Sequence, residues 1–368
     1  MRLVSLSAFA FRNIDEITLD LGAGFNLIHG DNGAGKTALL EAIYLIARSR
    51  SFRTTKLKNI VKADLKEAVV RAEVGSDAGQ MRSLAVAKSL NGTSILKVDG
   101  ENVKKSSDLA RYLPVQVLLP GVIDLVLDGP NARREFLDWG LFHVEHAFLD
   151  VSKRYKRALT QRAAWMKVNQ HSNFAEDPWA DQLISGGVQI STWRNAFLAE
   201  MNPYFEEMLA RLDPDISCTL AYIDGGYGPN EEEGREKLAS GFARDLRFGV
   251  SHYGPHRADL EFRFNGSTAR DIASRGQAKI IASAVTLAHA ALLTRAYDKK
   301  PVILIDDFGA ELDEERRQSF LLALMSLDCQ VIATSTDAPG DLLEHELLEK
   351  IRVFHVKQGM LHKINANT

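Results

Sequence analysis

The 368-residue sequence predicts an α/β fold: a mixed, largely parallel sheet interrupted by an inserted, mainly helical lobe. Three observations carry this reading. The apolar strand "GFNLIHG" (24–30) runs directly into the glycine-rich stretch "GDNGAGKT" (30–37), and an apolar helix, "KTALLEAIYLIA", follows at once. A second apolar run, "PVILI" (301–305), ends in the paired acids Asp306 and Asp307, as expected of a buried strand that delivers carboxylates at its C-terminal edge. Between them, residues 130–212 alternate charged and apolar side chains at helical spacing, with Gly140 and the Gly186-Gly187 pair as the glycines of the stretch.

The remaining elements follow from local pattern. "RLVSLSAF" and "EITLDL" are β-rich runs ahead of the glycine-rich loop. "AVVRAEV", "SLAVAK" and "SILKVDG" are three more, the last two joined by the Asn91-Gly92 hairpin signal. "PVQVLLP" (114–120) is a short strand bounded by prolines, and the acidic run in 229–234 reads as a solvated loop. Then "DLEFRF", a helix from Ser274, "PVILIDDF", a helix from Glu314 and "CQVIATS" alternate, which argues for a mostly parallel sheet covered on both faces. The domain plan is therefore discontinuous: 1–129 with 248–368 as lobe I, and 130–247 as a mainly helical lobe II. All four tryptophans fall in the helical stretch, where large aromatics pack a core.

Composition excludes several classes. A net charge of −3 rules out a polycation, so any polyanion must be met by local patches. Cys218 and Cys329 form no metal spacing and no disulfide framework, which suits a reducing cytosol. The N-terminus lacks a signal-peptide pattern, and no run approaches about 18 consecutive apolar residues. The expectation is a cytoplasmic protein with no membrane partner.

"GDNGAGKT" fits G-x-x-x-x-G-K-[ST] at every fixed position. Gly30, Asp31, Asn32, Gly33, Ala34 and Gly35 form a backbone cradle for phosphates at a helix N-terminus. Lys36 is expected to reach the β- and γ-phosphates and Thr37 to ligate Mg²⁺. Asp306 is the second candidate Mg²⁺ ligand, and Asp307 the catalytic group that polarises the attacking water. "ASRGQAK" (273–279) opens another helix with a hydroxyl, a glycine and a glutamine. Ser274, Gly276 and Gln277 thus make a second candidate phosphate-binding helix end, where one nucleotide needs only one cradle from its own loop.

Taken together these motifs resemble the ATP-binding-cassette ATPases, in which such a signature helix completes the site of a neighbouring subunit. "AELD" (310–313) looks like the loop that follows the second acid along that class's dimer interface. Gln116 is the candidate for its glutamine loop, a catalytic position that senses Mg²⁺ and water. The wide separation of Lys36 from Asp306 resembles the chromosome-maintenance and double-strand-break repair branch, but with a short insert in place of a long coiled coil. "FRN" (11–13), "HGDNGAGKTALLEAIYLIARSRSFRT" (29–54), "RREFLDWGLFH" (133–143), "YGPHRADL" (253–260) and "SRGQ" (274–277) narrow the resemblance to the gap-repair members of that branch.

The resemblance implies ATP and Mg²⁺ as cofactors and an ATP-dependent homodimer that sandwiches two nucleotides. It implies DNA (gapped, single- and double-stranded) and recombination mediator proteins as partners, with weak DNA-stimulated ATP hydrolysis as the switch. The setting it implies is recombinase loading at gaps, replication restart and the SOS response. Two departures stand out: Arg275 interrupts the usual double glycine, and "ATSTD" (333–337) has no histidine, with Thr334 or Thr336 in its place, so slow hydrolysis is expected. A transport ATPase subunit is the alternative, and a small-molecule kinase a more distant one. Motif spacing and basic segments argue against the first, and a kinase has no use for a signature helix.

Residues 48–66 hold seven Lys/Arg against one acid, Asp64, and 151–167 hold six with no acid. Arg50, Arg53, Lys56 and Lys58, just after the phosphate-loop helix, are the candidate DNA contacts. His256, Arg257 and Asp259 in "YGPHRADL" carry no assigned chemistry.

Overall fold

Strands of alternating burial build the first sheet. In β4 (Glu67–Gly75), Ala68, Val70, Ala72 and Val74 are buried while Arg71 and Glu73 face water, the period-two pattern of a sheet with one covered face. β1 (Arg2–Phe11), β2 (Ile14–Asp20), β5 (Met81–Ser89), β6 (Ser94–Val98) and β7 (Glu101–Val103) complete an antiparallel sheet in the order β2-β1-β4-β5-β6-β7. The computed structural model describes residues 1–76, 79–309, 314–342 and 350–363.

The second sheet runs β15-β14-β3-β13-β12-β8, from β3 (Phe25–His29), β8 (Val115–Leu118), β12 (Val302–Ile305), β13 (Val331–Ser335), β14 (Arg352–Lys357) and β15 (Met360–Lys363). All its pairings are parallel except β14 with β15. β12 and β13 are buried along their whole length, which explains their unbroken apolar sequence. Helix α1 (Lys36–Arg48) contacts strands of both sheets, and Ala38 through Ala47 are all buried. From Ala38 to Ala47 it is apolar on every side but for Glu41, because this stretch has no solvent face. This unit, which spans Met1–Gly121 and Leu293–Thr368, also holds α2 (Ser106–Ala110), α11 (Glu314–Met325) and α12 (Pro339–Leu342).

The second unit, Val122–Leu292, holds α3 (Asp124–Leu127), α4 (Pro130–Val144), α5 (Phe148–Val168), α6 (Ala180–Leu212), α7 (Glu231–Ser240), α8 (Phe242–Phe248), α9 (Ala269–Ile272) and most of α10 (Arg275–Tyr297). It also has its own three-stranded sheet, β11-β10-β9, from β9 (Cys218–Ile223), β10 (Asp259–Phe264) and β11 (Ser267–Thr268). By packing, 248–292 joins this unit rather than lobe I, because β10 pairs with β9 from Asp259↔Ile223 to Phe264↔Cys218. The acidic run is no loop: Glu231–Glu233 form the first turn of α7, capped by Asn230, whose side chain accepts from the Glu233 amide. Carboxylates at a helix N-terminus sit favourably against its dipole. Among the described residues, α10 is long and apolar enough to cross a membrane by length and composition, but 78% of its apolar window is buried in the protein.

"YGPHRADL" is a clasp within this unit. Arg133 of α4 holds Asp259 in a bidentate pair (2.7 and 2.9 Å), Arg134 donates to the Ala258 carbonyl, and Arg194 of α6 donates to the Pro255 carbonyl. Beside it, the fully buried Arg162 of α5 is shared between Asp177, Asp245 and Ser251. His256 Nε2 lies 3.0 Å from the Ser251 carbonyl, which only accepts, so Nε2 carries the proton and Nδ1 accepts from Tyr155 at 2.8 Å. Burial pushes the His256 imidazole down to about 4. Its folded pKa lies below its unfolded value, so this contribution to stability is full above about pH 6.5 and is lost as pH falls toward 4. Denaturant midpoints at pH 7.5 and 4.5 are expected to show His256 costing about 2–3 kcal/mol at the lower pH. His256→Gln removes that share, and superimposable wild-type and variant profiles would contradict the assignment.

Candidate nucleotide site

β3 ends at His29, whose ring stacks on His355 of β14 at 4.8 Å, and the chain then turns at Gly30. Gly30 has φ +154°, and a Cβ there would lie 2.1 Å from the Val356 carbonyl oxygen, so only glycine fits against β14. The loop is braced from both sides: Asn13 Nδ2 donates to the Gly33 carbonyl at 2.9 Å, and the Gly359 amide donates to the Ala34 carbonyl at 2.9 Å. Gly35 caps α1 with no side-chain acceptor, which leaves first-turn amides for an anion. Lys36 Nζ folds back on the carbonyls of Gly30 (2.7 Å) and Asp31 (3.0 Å). Burial lowers its pKa, with Asp307, Asp306 and Asp31 pulling the other way.

β3, β13 and β12 are neighbours, so parallel pairing brings both motifs to one sheet edge. Thr37 Oγ1 donates to Asp306 Oδ1 at 3.0 Å across 269 residues of sequence. Thr334 Oγ1 donates to the same oxygen at 2.8 Å and accepts from the Asp307 amide at 2.9 Å, and the Thr334 carbonyl accepts from Phe308. That lattice holds Asp307 at φ +59°, the left-handed region that Asp tolerates. The hydroxyl of Thr334 is thus committed beneath the acids. A cavity of about 680 Å³ is lined by Asn32, Gly33, Gly35, Lys36, Thr37, Asp306 and Asp307 together with Thr334 and Thr336.

The structure separates other expected residues. Gln116 is not brought to this cavity. It is buried in β8 opposite Ile303, about 10 Å along the strand direction from the level of Asp306 at the usual rise per residue. Arg53 and Lys58, read as DNA contacts, line the cavity, whereas Arg50 and Lys56 are exposed outside it. Residues 310–313 lie outside the described residues. Ser274 and Gln277 form a reciprocal cap: the Ser274 amide donates to Gln277 Oε1 at 2.9 Å and the Gln277 amide to Ser274 Oγ at 3.2 Å. Gly276 is exposed, and a Cβ on it would meet only Ser274 Oγ, at 4.0 Å. Nothing within the described chain requires glycine there, although glycine in a helix costs about 1 kcal/mol against alanine.

Sequence reading missed the cavity walls from outside the loop: Arg12, Asn13 and Asn59. "FRN" was visible, but only register shows its use: Phe11 bridges Val61, and the Arg12 amide donates to the Ile60 carbonyl.

Fold and site together define an ATP-binding-cassette-type ATPase head with a helical insert. The family described as RecF/RecN/SMC N terminal domain matches residues 2–362. DNA replication and repair protein RecF of Pseudomonas aeruginosa (strain LESB58) is 35% identical over 360 residues, 98% of this chain and 97% of that one. The solved structure of the recombination mediator protein RecF with ATP, in the RecFOR pathway, aligns with a TM-score of 0.87 and 26% identity over 99% of this chain and 97% of that chain. An SMC head bound to the C-winged helix domain of ScpA shares the fold alone, with a TM-score of 0.61 and 14% identity over 99% and 97%. The chain belongs to the RecF family.

Proposed function

We propose that this chain is an ATP-dependent DNA-binding protein of recombinational gap repair and replication restart, acting in the cytoplasm. The observation that carries the reading is the Thr37–Asp306 contact at the cavity, which joins the two halves of a nucleotide site from opposite ends of the sequence. Backbone from Gly30 to Gly35 cradles the phosphates and Lys36 leaves its two carbonyls to meet the β- and γ-oxygens. Thr37 and Asp306 would hold Mg²⁺. Among the described residues no cluster of three or more His, Cys, Asp or Glu occurs, so few protein side chains would hold the ion. When bound, it neutralises charge on the transferring phosphoryl group. Asp307 accepts the proton of the attacking water.

Gly276 supports the second half of the proposal. A glycine with open space on its own chain suits close approach by another molecule, and the Ser274 end of α10 closes over the γ-phosphate held by a second copy. Two chains then sandwich two nucleotides on DNA, slow hydrolysis resets them, and mediator proteins load recombinase at the gap. Arg53 and Lys58 belong to the nucleotide cavity in this reading, so Arg50 and Lys56 remain as the DNA contacts. Reversing both to glutamate is expected to flatten the salt dependence of DNA affinity, by about 0.9 in log–log slope for each phosphate no longer neutralised. An unchanged slope in a fluorescence titration across salt would remove this segment from the DNA surface.

A further inference from the structure

Glu41 sits on α1, wholly buried, and belongs neither to the phosphate cradle nor to the paired acids. Its Oε2 accepts from Arg12 Nε at 2.8 Å, and its Oε1 accepts from both Arg12 Nη2 and Ser51 Oγ. Ser51 Oγ in turn accepts the amides of Arg53 (2.8 Å) and Thr54 (2.9 Å). The segment is pinned to β1 beyond that point, since the Arg12 amide donates to Ile60 O and the Lys62 amide to Ala10 O, each at 2.8 Å. Three pieces of cavity wall therefore meet at one carboxylate: the end of β1, the phosphate-loop helix and the 51–59 segment. Arg12, held by its guanidinium, and Arg53, held by its backbone amide, both line the cavity.

A buried carboxylate is tolerated only with its charge and lone pairs met, and here both partners lead to the cavity. We infer that Glu41 and Ser51 are positioning residues that fix Arg12 and Arg53 in the cavity wall for a polyphosphate ligand. This rests on the nucleotide reading of the same cavity. Glu41 holds Arg12 directly, and Ser51 relays the carboxylate to the backbone of Arg53. The arrangement ties the Arg12 guanidinium and the Arg53 backbone to the helix whose N-terminus cradles the phosphates, so less is lost in ordering them when ligand arrives.

Ser51 is the informative probe, because removing Glu41 strands a partly buried guanidinium and threatens the fold itself. The full-length chain is titrated with ATP and Mg²⁺ as wild type, Ser51→Ala, Ser51→Thr, Arg53→Ala and the Ser51→Ala/Arg53→Ala double variant. Ser51→Ala and Arg53→Ala are each expected to weaken binding about tenfold, the worth of one charge-assisted contact. The double variant is expected to be no weaker than the poorer single, since both changes remove the same interaction. Ser51→Thr restores binding, and the loss appears in KM for ATP rather than in kcat. Additive losses in the double variant, or wild-type affinity in a folded Ser51→Ala, would overturn the inference while leaving the nucleotide site intact. Absence of ATP binding by the wild type would overturn both.

Discussion

Asp307→Asn is expected to stop ATP turnover while leaving ATP bound. The substitution removes the proton acceptor and, with it, one of the acids beside Lys36. Asparagine keeps the shape and tolerates the left-handed backbone that Asp307 adopts at φ +59°, and the backbone amide at 307 donates to Thr334 as before. Asp306, which shares its Oδ1 between Thr37 and Thr334, is untouched. What is lost is general-base assistance, typically worth about 10²–10⁴ in rate. Single-turnover hydrolysis with radiolabelled ATP is expected to fall by that factor while the dissociation constant for ATP stays close to wild type. A rate within about tenfold of wild type would move the base elsewhere in the cavity.

Lys36→Ala has the complementary signature: binding fails and the fold survives. The ammonium is buried against the Gly30 and Asp31 carbonyls, and burial lowers its pKa despite three nearby acids. The resting fold thus bears a desolvation cost at this position, and alanine relieves it. Charge-assisted contacts to two phosphates are worth about 1.5–3 kcal/mol each, so affinity is expected to drop about a hundredfold or more. The check is paired: ATP titration for affinity and a melt for stability. A variant that unfolds more easily than wild type would show Lys36 to be a structural residue.

The parts of the site that could be read from sequence are those that obey local rules. "GFNLIHGDNGAGKT" states a strand, a loop with fixed glycines and a helix in one contiguous stretch, and the structure has β3, the Gly30 turn and α1 in that order. The paired acids after "PVILI" were legible for the same reason, since a wholly apolar strand has to lie inside a parallel sheet. Ser274 and Gln277 carry their capping box in their spacing.

The rest depends on what lies next to what. Glu41 looks like any polar interruption of an apolar helix until Arg12 and Ser51 are seen to converge on it. Arg53 and Lys58 count toward a basic run in sequence, and only the pairing of 60–62 with β1 shows that they reach the cavity. Gln116 fails in the opposite direction: a glutamine in a short strand carries no signal of depth, and its register opposite Ile303 sets it back from the edge. The acidic run at 231–233 was misread because charge alone does not distinguish a solvated loop from a helix start. β9 and its partner β10 are distant in sequence, so the packing of 248–292 with the helical unit had no local sign.

ATP is expected to close two chains face to face. Sedimentation equilibrium of Asp307→Asn, which holds ATP without consuming it, is to be run with and without ATP and Mg²⁺, beside the same variant carrying Ser274→Arg. The expected result is a species of 40.8 kDa without nucleotide, a doubling of mass with it, and no doubling when the Ser274 helix end is blocked. A mass that stays at one chain with ATP bound, or a dimer that forms equally well with Ser274→Arg, would contradict the account.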